Sequence, residues 1–265
     1  MDTTNTLTRL VPMNKIVIDN NILTNYQDKY VTIKDNIVYF TNDGEYCIEY
    51  LNCSNFNINY CLEDNITVKL FIHSVDNNFT VNDNYTLNTN SNLLLSKFYN
   101  NETIKENTVI NLNGTKSKIN YSFSNICKNS EEYNITINHN NNYVNSYINN
   151  KTISLENSKI TFNIDSILPK GNIGCIMDQN TKIIELGNTE SKINPNMYIE
   201  ENDVEARHGS VIGNFDDESI FYLTSRGIEE KEAIKLLIKG FLLSNLSLNI
   251  NLKNRILEII NKNWR

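Results

Sequence analysis

The residues best suited to chemistry lie near the C-terminal end, in Asp203–Phe241, DVEARHGSVIGNFDDESIFYLTSRGIEEKEAIKLLIKGF. His208 stands alone there in a short strand-like stretch. A neutral imidazole is a good ligand for a borderline metal ion, and its second nitrogen can be oriented by a nearby acceptor. A lone histidine in a strand is more often a hydrogen-bonded structural residue. Gly209, beside it, permits close approach of another backbone. The five cysteines, Cys47, Cys53, Cys61, Cys127 and Cys175, are irregularly spaced and contain no CxxC pair. That pattern argues against a disulfide framework. For Cys47, Cys53, Cys61 and Cys127 the simpler role is that of small core residues in strands. His73 and His139 have no partner that the sequence identifies.

Other chemistries are poorly served. No GxxxxGK[ST] loop occurs, so the chain supplies no phosphate cradle of that kind. Acidic residues are plentiful, but none can be paired as the two carboxylates of a glycosidase. The formal charge of −7 disfavours a nucleic-acid surface, because such affinity comes largely from Lys and Arg against phosphates. Nor is there a basic run. The start, MDTTNTLTRLVPMNK, lacks the charged and apolar regions of a signal peptide, and no apolar run is long enough to span a bilayer. A cytoplasmic location is expected. Asn-X-Ser/Thr triplets such as Asn65-Ile-Thr follow from the abundance of Asn and Thr. A mean hydropathy of −0.41 fits a soluble chain with a core.

The elements around His208 divide into two kinds. From about Lys15 to Val211 the chain reads as short strands of roughly three to five residues, many alternating apolar with polar side chains. Examples are Lys15–Ile18, Tyr30–Ile33, Ile37–Phe40, Thr67–Ile72, Asn134–Ile137, Thr152–Leu155 and Lys159–Phe162. The breakers are mostly Asn and Asp, which tolerate left-handed backbone: Asn42-Asp43-Gly44, Asn77-Asn78, Asn113-Gly114 and Asn140–Asn142. Without intervening helices this predicts an all-β body, either a sandwich or a solenoid, whose rungs could stack Asn ladders.

After Gly213 the periodicity becomes helical. Asp216 or Asp217 can cap a helix through Leu223, and Gly227 sits where a helix C-terminus favours positive φ. A second helix is predicted over about Glu229–Leu243, with Ala233, Leu236, Leu237, Gly240 and Phe241 on one face. A third, over about Leu252–Asn263, carries Ile256, Ile259 and Ile260 on one side. Such helices pack on each other and on the β body, or leave a face for a partner.

With these residues in view, the chain resembles the SufB/SufD family of iron–sulfur cluster assembly proteins. That family has a segment like DDVxCSHGATVG followed by one like DEExLFYLxSRGIxxxEAxxLLxxGF. Here the first reads Asn202 to Gly213, NDVEARHGSVIG. The second runs from Asp216-Asp217-Glu218 through Phe221-Tyr222-Leu223 and Ser225-Arg226-Gly227-Ile228 to Glu232-Ala233, Leu236-Leu237 and Gly240-Phe241. The likeness is firm over about 195–243 and diffuse from about 90, and the family's helical N-terminal extension is not evident.

The resemblance implies a mainly β fold, a right-handed parallel β-helix core with a small C-terminal α-helical domain. It divides the chain into a strand-rich segment 1–40, a β-helix core 41–213 and a helical domain 214–265. It implies a non-enzymatic scaffold acting with a SufC-type ATPase and a SufB-type subunit, or paired with itself, through the β-helix. The ATPase would dock on Ile220, Phe221, Tyr222, Leu223, Arg226, Leu236, Leu237 and Phe241. His208 matches the histidine that the family ties to iron acquisition or cluster binding, so a transient iron–sulfur cluster or iron would be shared with a partner and not bound by this chain alone. Two departures stand out. Ala206 replaces the family cysteine two residues before the histidine, and Gly209 stands where SufB-type members have glutamate. Glu205, by strand alternation, points away from His208. The competing expectation is a degenerate structural solenoid that has lost metal work.

Overall fold

The computed structural model describes residues 14–24, 31–34, 36–74 and 78–263. The N-terminal stretch up to residue 13, Tyr30 and Asn77 lie outside the described residues. The strands are β1 (Asn14–Asp19), β2 (Ile22–Thr24), β3 (Val31–Lys34), β4 (Ile37–Phe40), β5 (Gly44–Leu51) and β6 (Phe56–Leu62). Next come β7 (Thr67–Ser74), β8 (Asn78–Leu87), β9 (Asn92–Tyr99), β10 (Thr103–Leu112), β11 (Lys118–Cys127) and β12 (Ser130–His139). The last are β13 (Asn145–Leu155), β14 (Lys159–Leu168), β15 (Cys175–Leu186), β16 (Glu190–Ile199) and β17 (Val204–Gly213). Helices α1 (Asp217–Thr224), α2 (Glu230–Leu243) and α3 (Ile250–Lys262) follow.

These strands form two sheets, one ordered β17-β15-β13-β11-β9-β7-β5-β1-β2 and the other β16-β14-β12-β10-β8-β6-β4-β3. From β5 onward alternate strands pair in parallel, which makes a solenoid of about six turns and rejects the sandwich. The outermost pairs at the N-terminal end differ: β1–β2 and β3–β4 are antiparallel hairpins. Mature rungs are longer than the short apolar runs suggested, at 8 to 12 residues from β7 to β17. Polar residues such as Asn, Ser and Thr extend the strands, because ladder hydrogen bonds need only the backbone.

Alternation decides what enters the core. In β12, Glu131, Tyr133, Ile135, Ile137 and His139 are buried, while Glu132, Asn134, Thr136 and Asn138 face outward. The outward face of the second sheet carries a stack of asparagines. Asn82, Asn107, Asn134, Asn163 and Asn194 each donate Nδ2 to Oδ1 of the asparagine one rung earlier, starting at Asn57, over 2.6–2.9 Å. Other asparagines hold the turns, with positive φ at Asn36, Asn52, Asn55, Asn65, Asn90 and Asn157. Gly114 is required for a different reason: a Cβ there would lie 1.9 Å from the backbone nitrogen of Thr89.

The C-terminal halves of β5, β7, β9 and β11 in the first sheet are buried on both faces, because the helices cover the outside there. Phe71, Phe98, Ile126, Ile153 and Ile184 meet Ile238, Leu242, Leu252, Ile256 and Ile260 in one apolar cluster. Asn245 Nδ2 donates to the carbonyls of Phe123 (2.7 Å) and Asn149 (3.0 Å), and Arg255 of α3 bonds Glu49 of β5. Asp216 caps α1 by accepting from the Ser219 amide at 2.6 Å, and Gly227 has φ +86°. The buried face of α2 is rotated from the predicted stripe. Ala233, Ile238 and Leu242 are buried, whereas Leu236 and Gly240 are exposed, because the apolar ridge of the first sheet, not the helix alone, selects the face. Among the described residues no helix is long and apolar enough to cross a membrane.

Candidate functional site

The two ends of the solenoid are finished differently. At the N-terminal side the sheets finish on the antiparallel hairpins β1–β2 and β3–β4, whereas at the other side, among the described residues, β16 and β17 are the last strands and no further strand pairs with them. Their side chains show this. Tyr198, Ile199, Val211 and Ile212 are exposed, as are nearly all residues of β17. An uncovered strand edge presents free backbone donors and acceptors to another chain. The first sheet thus ends in an open parallel edge that carries His208.

Register fixes where His208 faces. It pairs with Gln179 of β15, a buried inward residue, while Ala206 pairs with Met177 and Ser210 with Thr181. Ala206, His208 and Ser210 therefore continue the inner face of the solenoid at its mouth. Arg207 points outward and bonds Asp178 at 3.1 Å, and Glu205 lies on that outward side, away from His208. A Cβ at Gly209 would meet only the Asn180 side chain, with Oδ1 at 3.5 Å, so among the described residues nothing demands glycine there. Among the described residues no group of three His, Cys, Asp or Glu side chains could hold a metal. Cys47, Cys53, Cys127 and Cys175 are buried, and Cys61 is partly so. Cys53 lies in the turn after β5, not in a strand, and donates to the carbonyl of Ile18. The cysteines are scattered along the body and do not converge on His208.

Behind the mouth, the interior is partly polar, which the sequence did not reveal. Lys97 Nζ lies 2.5 Å from Asp83 Oδ2 and 2.7 Å from Glu106 Oε1, and all three side chains are essentially inaccessible. Tyr85 and Thr108 donate to Asp83, and Tyr99 to Glu106. Burial opposes the Lys97 charge, but the two carboxyls outweigh it and raise its pKa. Burial pushes Glu106 up to about 7 against the pull of Lys97. Glu131, further along, is raised to about 8 by burial, although Tyr133 and Asn125 donate to it. His139 bonds Ser146 at 2.8 Å, and His73 sits 3.5 Å from Glu49; burial lowers both to about 4. Both imidazoles thus find their surroundings on neighbouring strands, Ser146 on β13 for His139 and Glu49 on β5 for His73.

The predicted docking residues form two groups. Phe221, Tyr222 and Leu236 are exposed at 71%, 55% and 46%, and α1 buries none of its residues. Arg226 lies over the Tyr222 ring, 4.6 Å from its centroid. Ile220, Leu223, Leu237 and Phe241 are only half-exposed. Phe241 packs edge-on against Phe215 and beneath Lys151, so it anchors the helical segment as well as bordering the surface.

Fold and site together define an open-ended parallel β-solenoid with an amphipathic helical appendage. Residues 52–241 match the family model described as SUF system FeS cluster assembly, SufBD core domain. The chain belongs to that family. It is 33% identical over 106 residues to the iron–sulfur cluster assembly protein SufD of Escherichia coli, covering 39% of this chain and 25% of that one. It is 54% identical over 48 residues to a SufBD family protein of Mycobacterium leprae (18% and 12% of the two chains) and 38% identical over 66 residues to SufD of Bacillus subtilis (24% and 15%). The aligned segments span a quarter or less of each of these relatives.

Proposed function

We propose that this chain is a non-catalytic scaffold subunit of a SUF-type iron–sulfur assembly complex in the cytoplasm. It pairs through its open rung with a SufB-type subunit or a second copy of itself, and carries a SufC-type ATPase on α1 and α2. The observation that carries this reading is the uncovered last rung, with apolar residues and a strand edge around His208 in a family named for cluster assembly. Iron or a nascent cluster is the cargo. His208 offers one imidazole ligand, and the remaining ligands come from the partner, since a histidine can take a cysteine's place on a cluster iron. Gly209, unconstrained among the described residues, leaves room for the partner's backbone.

The test is co-purification with the SufC-type ATPase and SufB-type protein of the same organism, followed by size exclusion. A stable assembly containing both is the expected result; binding to neither would refute the scaffold role. Phe221→Glu should weaken ATPase capture tenfold or more, as loss of about 1.5–3 kcal/mol of aromatic burial would do. Capture unchanged in this variant would move docking off α1. His208→Ala should leave the circular dichroism spectrum intact and remove iron loading from the assembled complex. Normal loading would end the ligand assignment. Ala206 favours a second reading, a family member that keeps the docking helices without metal work. A complex that assembles but loads no iron even with His208 present would establish it.

A further inference from the structure

We propose that Gln179 is the positioning residue for His208, and this rests on His208 being the ligand described above. Gln179 is 1% exposed, and its amide reaches across the solenoid interior. Nε2 donates to Ser166 Oγ at 2.8 Å and to the Asn196 carbonyl at 3.2 Å, tying β15 to the last strands of the opposite sheet. Both donor hydrogens are thereby used. Oε1 is buried and has no hydrogen-bond partner among the described residues. A buried amide oxygen without a donor is costly, so a donor is expected nearby.

Gln179 has two in-register neighbours on the same face, Ile148 on one side and His208 on the other. Such neighbours stand about 4.8 Å apart in a sheet. The isoleucine side chain has no donor, whereas a neutral imidazole always carries one N–H. A small rotation of the exposed His208 ring therefore pairs that N–H with Gln179 Oε1. The pairing selects one tautomer and turns the second nitrogen, with its lone pair, out of the solenoid mouth. A metal-ligating histidine is commonly oriented in this way by an acceptor behind it. The same amide fixes the spacing of the two sheets at the open end, so His208 is presented from a rigid support.

The experiment uses the full chain with ring-nitrogen-labelled histidine, whose three imidazoles are assigned with single substitutions. Spectra are taken at about pH 8.5, where an unperturbed imidazole is neutral. One dominant His208 tautomer is expected in the native chain. Gln179→Met should return His208 to the tautomer mixture of free imidazole and leave the His73 and His139 signals in place. Gln179→Glu keeps the acceptor but loses the donor, and should preserve the locked tautomer. Unchanged His208 shifts in Gln179→Met would overturn the proposal. So would loss of the tautomer in both variants, which would assign Gln179 only the cross-sheet donor role. Anaerobic Fe(II) titration of the assembled complex gives the second readout, with affinity about tenfold or more weaker in Gln179→Met and near native in Gln179→Glu. Equal Fe(II) affinity in all three would likewise overturn it. If Fe(II) fails to perturb His208 in the native complex, the ligand reading falls, while the tautomer result still decides the Gln179 pairing.

Discussion

Lys97→Met should destabilise the protein by about 3–5 kcal/mol, the usual consequence of removing one partner from a buried ionic group. The ammonium sits between Asp83 and Glu106 with no access to water. Methionine fits the space but leaves two carboxyls facing each other in the dry interior. Asp83 keeps the donors Tyr85 and Thr108, and Glu106 keeps Tyr99, so the pair can be neutralised by proton uptake but not restored. Adding Asp83→Asn to Lys97→Met should recover much of the loss, because it removes the stranded charge. Urea unfolding followed by both circular dichroism and tyrosine fluorescence provides the measurement, since stacked rungs can unzip in stages that one probe would merge. A loss below about 1 kcal/mol, the scale of an exposed ion pair, would show that the network contributes nothing particular to the fold.

Glu131→Gln should have the opposite sign, with a pH dependence that identifies its cause. The Glu131 carboxyl is held at about 8 in the folded chain, against an ordinary value of 4.5, chiefly by burial. A raised folded pKa means that its contribution is intact below about pH 4.5, where both states are protonated. Between that pH and about 8 the unfolded chain releases the proton and the folded chain keeps it, so native stability falls. At roughly 1.4 kcal/mol per pH unit, the difference between variant and native chain should grow by up to about 4 kcal/mol from pH 5 to pH 8, in favour of glutamine. The glutamine oxygen can still accept from Tyr133 and Asn125. Buried His73 and His139 work in reverse, destabilising the fold as pH drops from 6.5 toward about 4, but they are common to both chains and cancel in the difference. Thermal unfolding of the two proteins across this range is sufficient. A difference that stays flat with pH would mean that Glu131 is ionised in the folded state.

Much of the architecture was readable because it depends on local rules. Strands at Thr67–Ile72 or Lys159–Phe162 were visible by alternation, and the Asn turns by the backbone that asparagine tolerates. Asp216 and Gly227 marked the helix ends correctly for the same reason. Solenoid and sandwich were indistinguishable from alternation, since both have strands with one buried face. Only the likeness of Asp203–Phe241 to known sequences separated them in advance, and the parallel pairing of alternate strands then decided it. The polar interior is not legible in the sequence because Asp83, Lys97 and Glu106 come from three different strands. A polar residue on an apolar stripe, such as Gln179 between Met177 and Ile183, was the available signal, and it indicates nothing until the opposite sheet supplies its partner.

The amino-acid sequence by itself determined the element types, most turn positions and the Asp216 cap of α1. Each follows from interactions among residues close in the chain. Tertiary structure alone decided that His208 lies on the inner face of an uncovered last rung, that Gln179 stands behind it, and that α2 turns Ile238 and Leu242 rather than Leu236 toward the first sheet. These depend on register between strands about 30 residues apart and on which face of a sheet is left for the helices. A one-residue slip of β17 against β15 would turn His208 to the outer face, and only the packed solenoid excludes it.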